Sequence, residues 1–450
     1  MKLKTSIAIF ALTAKMAFAQ NGWISAGTPY TTLQINCLFN DTISDRLYAA
    51  GQVLNPSFSK LAILYYDGVT WNNIGNADNQ TRGITRFNND IIVSGFFSKI
   101  NGVDVNNIAR YDGTNWYSFG NFNGFVWNVK VLNDTLYAMG AFSMVDSLLC
   151  NGIAKWTGSS WKPVFSFPYV GAYVYDAEIY QGDLYLGGNS FYIGTTDYND
   201  IVVYKNGAWQ MVGNGILGGT SFVDKLLAYK NELIIAGIIW RSASNTGDGI
   251  QKWNGSSWSD LGMGLRTGTN PNNSAPHVHD MKIHNNELYV AGVFDYADSL
   301  YAKHLAKWDG EKWCNFPTQD FIATNLVVDI YHDTIFTGCG YDTLNSDTIN
   351  YLAKMLSLQP LGCRVTGIDE KQNNEAEGMV VYPNPANEYL NFLHFESNST
   401  IIVTDMAGQL IIKTNLGSNQ KLDISNLSSG IYFIRVQSSK NVQTLKLLKQ

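Results

Sequence analysis

Apolar residues in this chain come in short runs rather than in long periodic stretches. A representative unit, Glu287 to Trp313, has an apolar run ending in Gly292, a variable loop, a second apolar run, an Asp309-Gly310 turn and a tryptophan. The run-ending glycine recurs at Gly51, Gly95, Gly140, Gly188, Gly237, Gly292 and Gly338. The tryptophan recurs at Trp71, Trp116, Trp161, Trp209, Trp258 and Trp313, with neighbours 45 to 55 residues apart. Within a unit the alternation has period two, as at Ile153 and Lys155 against Ala154 and Trp156, and no stretch sustains a helical period.

Each unit divides into four strands. In the third, the pattern predicts strands at Trp127 to Leu132, Leu136 to Phe142, Gly152 to Trp156 and Ser160 to Val164. The first two strands are joined by Asn133-Asp134, and by Gln181-Gly182 and Asn285-Asn286 in later units. The last two are joined by Asp67-Gly68, Asp112-Gly113, Asn206-Gly207, Asn254-Gly255 and Asp309-Gly310. Such pairs accept the left-handed backbone of tight hairpin turns. A repeat of about 40–50 residues with four strands suits a β-propeller blade.

The ends of the array sharpen this. The last unit, Asp333 to Gly338 and then Tyr351 to Met355, has no turn-plus-tryptophan strand after it. A fragment of that kind, Asn21 to Gly27 with Trp23, stands at the other end. The expectation is an all-β chain whose residues 20–356 form a seven-bladed propeller closed by the N-terminal strand, which hides sheet edges that would otherwise invite aggregation. An open solenoid with polar caps is the alternative. The repeat resembles kelch-type and galactose-oxidase-like propellers of secreted bacterial proteins. The paired glycines of true kelch repeats are mostly absent, so the resemblance is kelch-like only. In the sialidase Asp box a residue separates Asp from Gly, whereas Asp67-Gly68 and Asp309-Gly310 are adjacent, which disfavours that family.

Composition agrees with many short strands: 41 glycines, 13% aromatics and 15% charged residues in 450. The formal charge of −6 offers no basic footprint for nucleic acid. Lys2 and Lys4, an apolar run from Ile7 to Ala14, and Ala17-Phe18-Ala19 before Gln20 read as a secretory signal peptide at residues 1–19. A retained anchor is the alternative, but Lys15 interrupts the run, and no later segment has the roughly 20 apolar residues of a membrane-spanning helix. Cys37, Cys150, Cys314, Cys339 and Cys363 lack C-x-x-C spacing, so no structural zinc site is expected. One disulfide, such as Cys314 with Cys339, and buried thiols are both open.

Residues 357–378 are polar and charged and read as a linker. Short alternating strands with turns fill residues 379–450, which predicts a small Ig-like β-sandwich. This segment resembles the type A C-terminal sorting domain of the bacterial type IX secretion system. The matching residues are Val381, Tyr382, Pro383, Asn384 and Pro385, then Asp405 and Gly408, then Leu422 to Ser425, Leu427, Gly430 and Tyr432, and finally Lys446 and Lys449. The resemblance implies that the secretion machinery is a partner and that a Bacteroidota-type cell exports the chain across its outer membrane. It also implies removal of the domain, with the remainder released or attached to surface lipopolysaccharide.

Candidate chemistry concentrates on the face where longer loops emerge: 121–125, 166–172, 189–200, 241–248, 263–276 and 341–348. Phe122, Phe125, Trp127, Phe167, Tyr169 and Tyr173 cluster near two neighbouring blades and can stack on sugar rings, or pack between blades. No cofactor motif is present, although Asp197, Asn199 and Asp200, or Asp342, Asn345 and Asp347, offer oxygens suited to Ca2+. His277 and His279 fall in the longest loop, and a metal there needs further ligands from other blades. No catalytic constellation stands out. Two classes remain: a secreted or outer-membrane-surface binding module for glycan or protein, and a carbohydrate-active or copper-oxidase-like propeller enzyme.

Overall fold

The computed structural model describes residues 23–355, 362–363 and 380–449, apart from 29, 56, 58, 166, 169–170, 190, 194–195, 198, 217–220, 241–246, 269–274, 317–326, 339–342, 345–346, 349–350, 383–385, 394–398, 406–408, 416–420 and 438–441. The signal-peptide segment of the sequence therefore lies outside the described residues, and so does the linker apart from Gly362–Cys363, a short strand that pairs with Cys314 and Asn315. Two compact units, 1–366 and 367–450, make up the chain. The described residues form antiparallel sheets and no helix.

One motif builds the larger unit, a four-stranded antiparallel meander. In the third repeat its strands are Phe125–Leu132, Thr135–Ala141, Ile153–Trp156 and Trp161–Pro163. These bounds lie within two residues of those the alternation predicts. The same order is seen in Thr81–Phe87, Asp90–Gly95, Ile108–Tyr111 and Trp116–Ser118, and in the repeats that begin at Thr31–Asp41, Tyr173–Tyr180, Phe222–Tyr229 and His277–His284. The last meander, Val327–Tyr331, Thr334–Gly338 and Leu352–Met355, takes its fourth strand from Trp23–Ser25. Trp23 stands opposite Met355 and Ser25 opposite Ala353 in antiparallel register.

Turn chemistry explains the hairpins. Asn133 and Asp134, with φ of 45° and 60°, and Asn285 and Asn286, with φ of 49° and 62°, make the left-handed two-residue turns between first and second strands. The Asx-Gly pairs behave less uniformly than the sequence predicts. Only Asn206-Gly207 makes a two-residue turn, between Lys205 and Ala208. At Asp67, Asp112, Asn254 and Asp309 the loop holds four residues, and the Asx Oδ1 accepts two backbone N–H groups, as from Thr114 at 2.8 Å and Asn115 at 2.7 Å on Asp112. The loops between second and third strands are also built rather than irregular. They carry small hairpins, Lys99–Ile100 with Val103–Asp104 and Met144–Val145 with Leu148–Leu149 among them.

The tryptophans bind each meander to its predecessor. Each indole N–H donates to a backbone carbonyl three or four residues beyond the preceding tryptophan. The bonds run Trp71 to Ala26 (3.0 Å), Trp116 to Ile74 (2.8 Å), Trp161 to Phe119 (2.6 Å), Trp209 to Phe165 (3.2 Å), Trp258 to Val212 (3.3 Å) and Trp313 to Leu261 (2.7 Å). Trp23 packs in one cluster with Tyr289, Phe316 and Met355. A buried aromatic of this kind removes about 150–250 Å2 from water, on the order of 4–6 kcal/mol at about 25 cal/mol per Å2.

First strands pack on one another in chain order, and Val327–Tyr331 packs on Thr31–Asp41. Buried carboxylates bridge their backbones. Asp176 accepts from Leu226 N at 2.9 Å, Asp280 from Val328 N at 3.2 Å and Asp329 from Asn40 N at 3.0 Å. Lys130, Lys225 and Lys282 pair with Asp176, Asp280 and Asp329 at 3.4–3.5 Å. Burial alone would pull the Lys282 ammonium below its ordinary range, but the Asp329 and Asp280 charges and the hydrogen bond to Asp329 together outweigh it and raise the pKa. Cys314 is disulfide-bonded, and its Cα faces that of Cys363 across a strand pair. Cys37 and Cys150 are free thiols, and Cys339 lies outside the described residues.

The smaller unit has one sheet of Val380–Tyr382, Tyr389–Leu393 and Lys421–Asp423, and another of Leu410–Asn415, Thr400–Asp405, Gly430–Gln437 and Val442–Lys449. Both feed one apolar cluster that includes Leu390, Phe392, Ile401, Val403, Ile434 and Leu447. Gly430 and Tyr432 lie on one strand, Lys446 and Lys449 on its partner, with Gly430 opposite Lys449. Asp405 ends the Thr400–Asp405 strand and accepts from Gln409 N at 2.9 Å. Pro383, Asn384, Pro385 and Gly408 lie outside the described residues.

Two stability outcomes follow. Trp161→Phe keeps the ring and strips the buried Phe119 carbonyl of its donor, so it is expected to cost about 1–3 kcal/mol, with Trp258→Phe, half-exposed and on a longer bond, costing less. Denaturant titration of both measures this; an unchanged Trp161→Phe midpoint refutes the indole tie. Arg86 holds Asp41 through Nε at 2.8 Å and Nη2 at 2.5 Å, joining the Thr31–Asp41 and Thr81–Phe87 strands. Burial pushes the Asp41 carboxyl up, but bonds from Arg86 and Ser44 outweigh it and hold the pKa below the ordinary value. This contribution is complete above the ordinary carboxylate range and disappears as pH falls through the lower folded value. Asp41→Asn is expected to cost roughly 3–5 kcal/mol near neutrality and to flatten the acid limb of the stability profile; a parallel acid limb in the variant would contradict the pairing.

Candidate functional site

A backbone irregularity recurs in the first strands and makes the site. Six of them carry a β-bulge directly after the residue opposite the repeat glycine. The extra residues are Asn36, Arg82, Trp127, Tyr175, Asp224 and His279. A bulge bends the strand and re-aims the inserted side chain. It also explains the glycine. A Cβ on Gly95, Gly140, Gly188, Gly237 or Gly292 would overlap the carbonyl oxygen of Gln80, Phe125, Tyr173, Phe222 or His277 on the bulged strand. In the last meander Val327 and Val328 pair with Gly338 and Thr337 without a shift.

The bulged residues meet their neighbours in an arc. The Arg82 guanidinium lies over the rings of Phe96 at 5.1 Å and Trp127 at 5.5 Å. Trp127 meets Tyr175 edge-on at 5.9 Å, and Tyr175 meets Phe222 at 5.8 Å. Phe222 stands perpendicular to His277 at 5.3 Å, and His277 lies 3.7 Å from His279. His277 Nε2 is 2.5 Å from Asp224 Oδ2. Phe125, Trp127, Ala141, Tyr173 and Tyr175 line an open hollow of about 360 Å3.

Electrostatics follow from partial burial. Burial, then the nearby Asp224 charge, pushes the Tyr175 hydroxyl up to about 12, so it stays a protonated donor. Burial lowers the Arg82 pKa below the ordinary arginine value despite the neighbouring Asp224 charge. Among the described residues, Arg82 Nε and Trp127 Nε1 are buried without a hydrogen-bond partner. The free Cys37 thiol is pushed up to about 12 by burial, which makes it a poor nucleophile.

The sequence candidates divide. Phe125, Trp127 and Tyr173 come together at the hollow, with Phe125 and Tyr173 exposed. Phe122 is buried against Phe142 and Trp161, and Phe167 against Phe191 and Trp209, so both lie in packed core. Tyr169 lies outside the described residues. His277 and His279 are not loop residues: they stand on the first strand His277–His284. Asp197 accepts from Asn199 N at 2.8 Å, and Asp200 from Ser221 Oγ at 2.8 Å, so loop hydrogen bonds employ both carboxylates. Asp342 and Asn345 lie outside the described residues.

Sequence reasoning missed Arg82, Tyr175 and Asp224. A signal was available, because Arg82, Trp127, Tyr175, Asp224 and His279 each stand thirteen residues before their repeat glycine. Strict alternation conceals it, since a bulge breaks the period of two. Gly188→Ala is expected to force the Tyr173 carbonyl away and cost about 1–3 kcal/mol, with altered near-ultraviolet dichroism from the aromatic arc. Native stability and an unchanged aromatic spectrum would show that the bulge does not require glycine.

Comparison with known proteins places the smaller unit. Residues 380–450 match the secretion system C-terminal sorting domain. No curated protein matches the chain in sequence. Among solved structures, PorZ of Porphyromonas gingivalis, described as an essential bacterial surface component of the type IX secretion system, is 16% identical with a TM-score of 0.48. That alignment covers 93% of this chain and 59% of PorZ, so the chain spans less than two thirds of its length. The extracellular domain of a hybrid two-component system of B. thetaiotaomicron is 11% identical with a TM-score of 0.21, over 94% of this chain and 76% of that one. A luciferin-regenerating enzyme is 10% identical with a TM-score of 0.35, over 75% and 96%. No described helix is long and apolar enough to cross a membrane. By its sorting domain, this all-β chain is a cargo of type IX secretion, bound for the cell surface or the medium.

Proposed function

We propose that residues 20–356, freed of a signal peptide at 1–19, are a seven-bladed kelch-like β-propeller closed by the Trp23 strand. A linker at 357–378 joins it to an Ig-like sorting sandwich at 379–450. The repeated meander, the Trp23–Met355 register and the packing of the last first strand on the first one support the ring. The exported propeller is a non-catalytic binding or adhesion module whose ligand is a glycan.

One observation carries the ligand reading: the open aromatic hollow of Phe125, Trp127, Tyr173 and Tyr175. Its volume of about 360 Å3 lies at the small end for ligand pockets, the scale of one or two sugar rings. Aromatic faces stack on the apolar faces of sugars, and a protonated Tyr175 hydroxyl serves sugar oxygens. Arg82 behind Trp127 stiffens the wall.

The test is retention of the purified chain on a panel of immobilised polysaccharides, with analysis of the wash for released product. Retention without product is expected. Trp127→Ala and Tyr173→Ala are each expected to weaken it about tenfold, or about 1.4 kcal/mol. Undiminished retention in both variants would remove the hollow as the site. Product release would move the protein to the enzyme class, and retention only on protein baits would reassign the ligand.

A further inference from the structure

We propose that Asp224, His277 and His279 bind one divalent transition-metal ion of the zinc type. The three side chains present ligand atoms that all lie within 4.8 Å of one another. They come from two neighbouring first strands, Phe222–Tyr229 and His277–His284. Asp224 and His279 are both bulge residues, and His277 is the residue whose carbonyl approaches Gly292. The backbone feature that builds the aromatic arc therefore also gathers the ligands.

The donor set selects the ion. Two imidazoles and one carboxylate suit zinc, iron(II), cobalt, nickel or copper, whereas calcium and magnesium require more oxygen ligands than one carboxylate supplies. Metal–ligand bonds of about 2.0–2.2 Å require only local movement from the present spacing. The ion replaces the Asp224–His277 hydrogen bond, now 2.5 Å long, and spreads that pair by about 0.8 Å, to the roughly 3.3 Å between ligand atoms of a tetrahedral ion. The His277 ring also packs perpendicular to Phe222, with centroids 5.3 Å apart. Three protein ligands leave a coordination position for an exogenous oxygen. The proposal is independent of the glycan reading, because metal binding is measured without any glycan.

The full-length chain is stripped with chelator and titrated with ZnCl2 by calorimetry. One ion per chain with micromolar affinity is expected. Asp224→Asn and His279→Asn are each expected to weaken it by about tenfold or more. His284→Ala, which removes a separate pair with Asp333 at 2.8 Å, is expected to leave it unchanged. Melting temperatures identify any variant that fails to fold. A readout on the unaltered chain stands beside them: CuCl2 bound at one equivalent should show paramagnetic-resonance splitting from two imidazole nitrogens. Absence of micromolar zinc binding, absence of that splitting, or equal affinity in folded His279→Asn each overturns the site.

Discussion

The interaction on which the larger unit depends is the indole N–H of each outer-strand tryptophan reaching the preceding meander's backbone. An isolated four-stranded meander exposes apolar faces and sheet edges that it cannot satisfy alone. The indole ring covers the seam, while its single N–H fixes how far one sheet slides past the next. Trp161 and Trp313 are fully buried at their seams, and Trp23 occupies the corresponding place beside Phe316. The repeat is therefore a series of identical joints, each combining large apolar burial with one directional bond.

A second constraint acts at the other edge of each meander. First strands crowd together, so their backbones need partners across the seam and their side chains need room. Asp176, Asp280 and Asp329 meet the first need by accepting backbone N–H groups of the next strand, with lysines offsetting their charge. The bulges meet the second in six of the first strands, by turning a residue out of the regular pleat. Because the bulge sits opposite the repeat glycine, the feature that makes the repeat recognisable also creates its variable site. The glycine position is uniform, whereas the bulge position holds Arg82, Trp127, Tyr175, Asp224 and His279.

That arrangement divides labour between architecture and chemistry. One wall of the bulge arc is aromatic, with an open hollow, and the other is a carboxylate with two imidazoles. They abut through Phe222, which contacts both Tyr175 and His277. A cargo delivered outside the cell by its sorting domain thus carries a rigid scaffold with one compact region of unlike side chains.

Much of this was legible in the chain alone. Strand positions, hairpin turns, the fragment around Trp23 and the sorting motif around Tyr382, Gly430 and Lys449 are local patterns, fixed by alternation, by Asx and glycine backbone preferences, and by residue order. Tertiary structure decided the rest. Phe122 and Phe167 went into the core while Phe125 and Tyr173 stayed exposed, because the seam between meanders, rather than nearness to a long loop, sets burial. His277 and His279 became strand residues beside Asp224, some fifty positions away in sequence, because first strands of successive repeats lie against each other. Sequence periodicity reports which way a side chain faces within its own strand; which groups from other strands it then meets depends on the bulges and on packing between meanders.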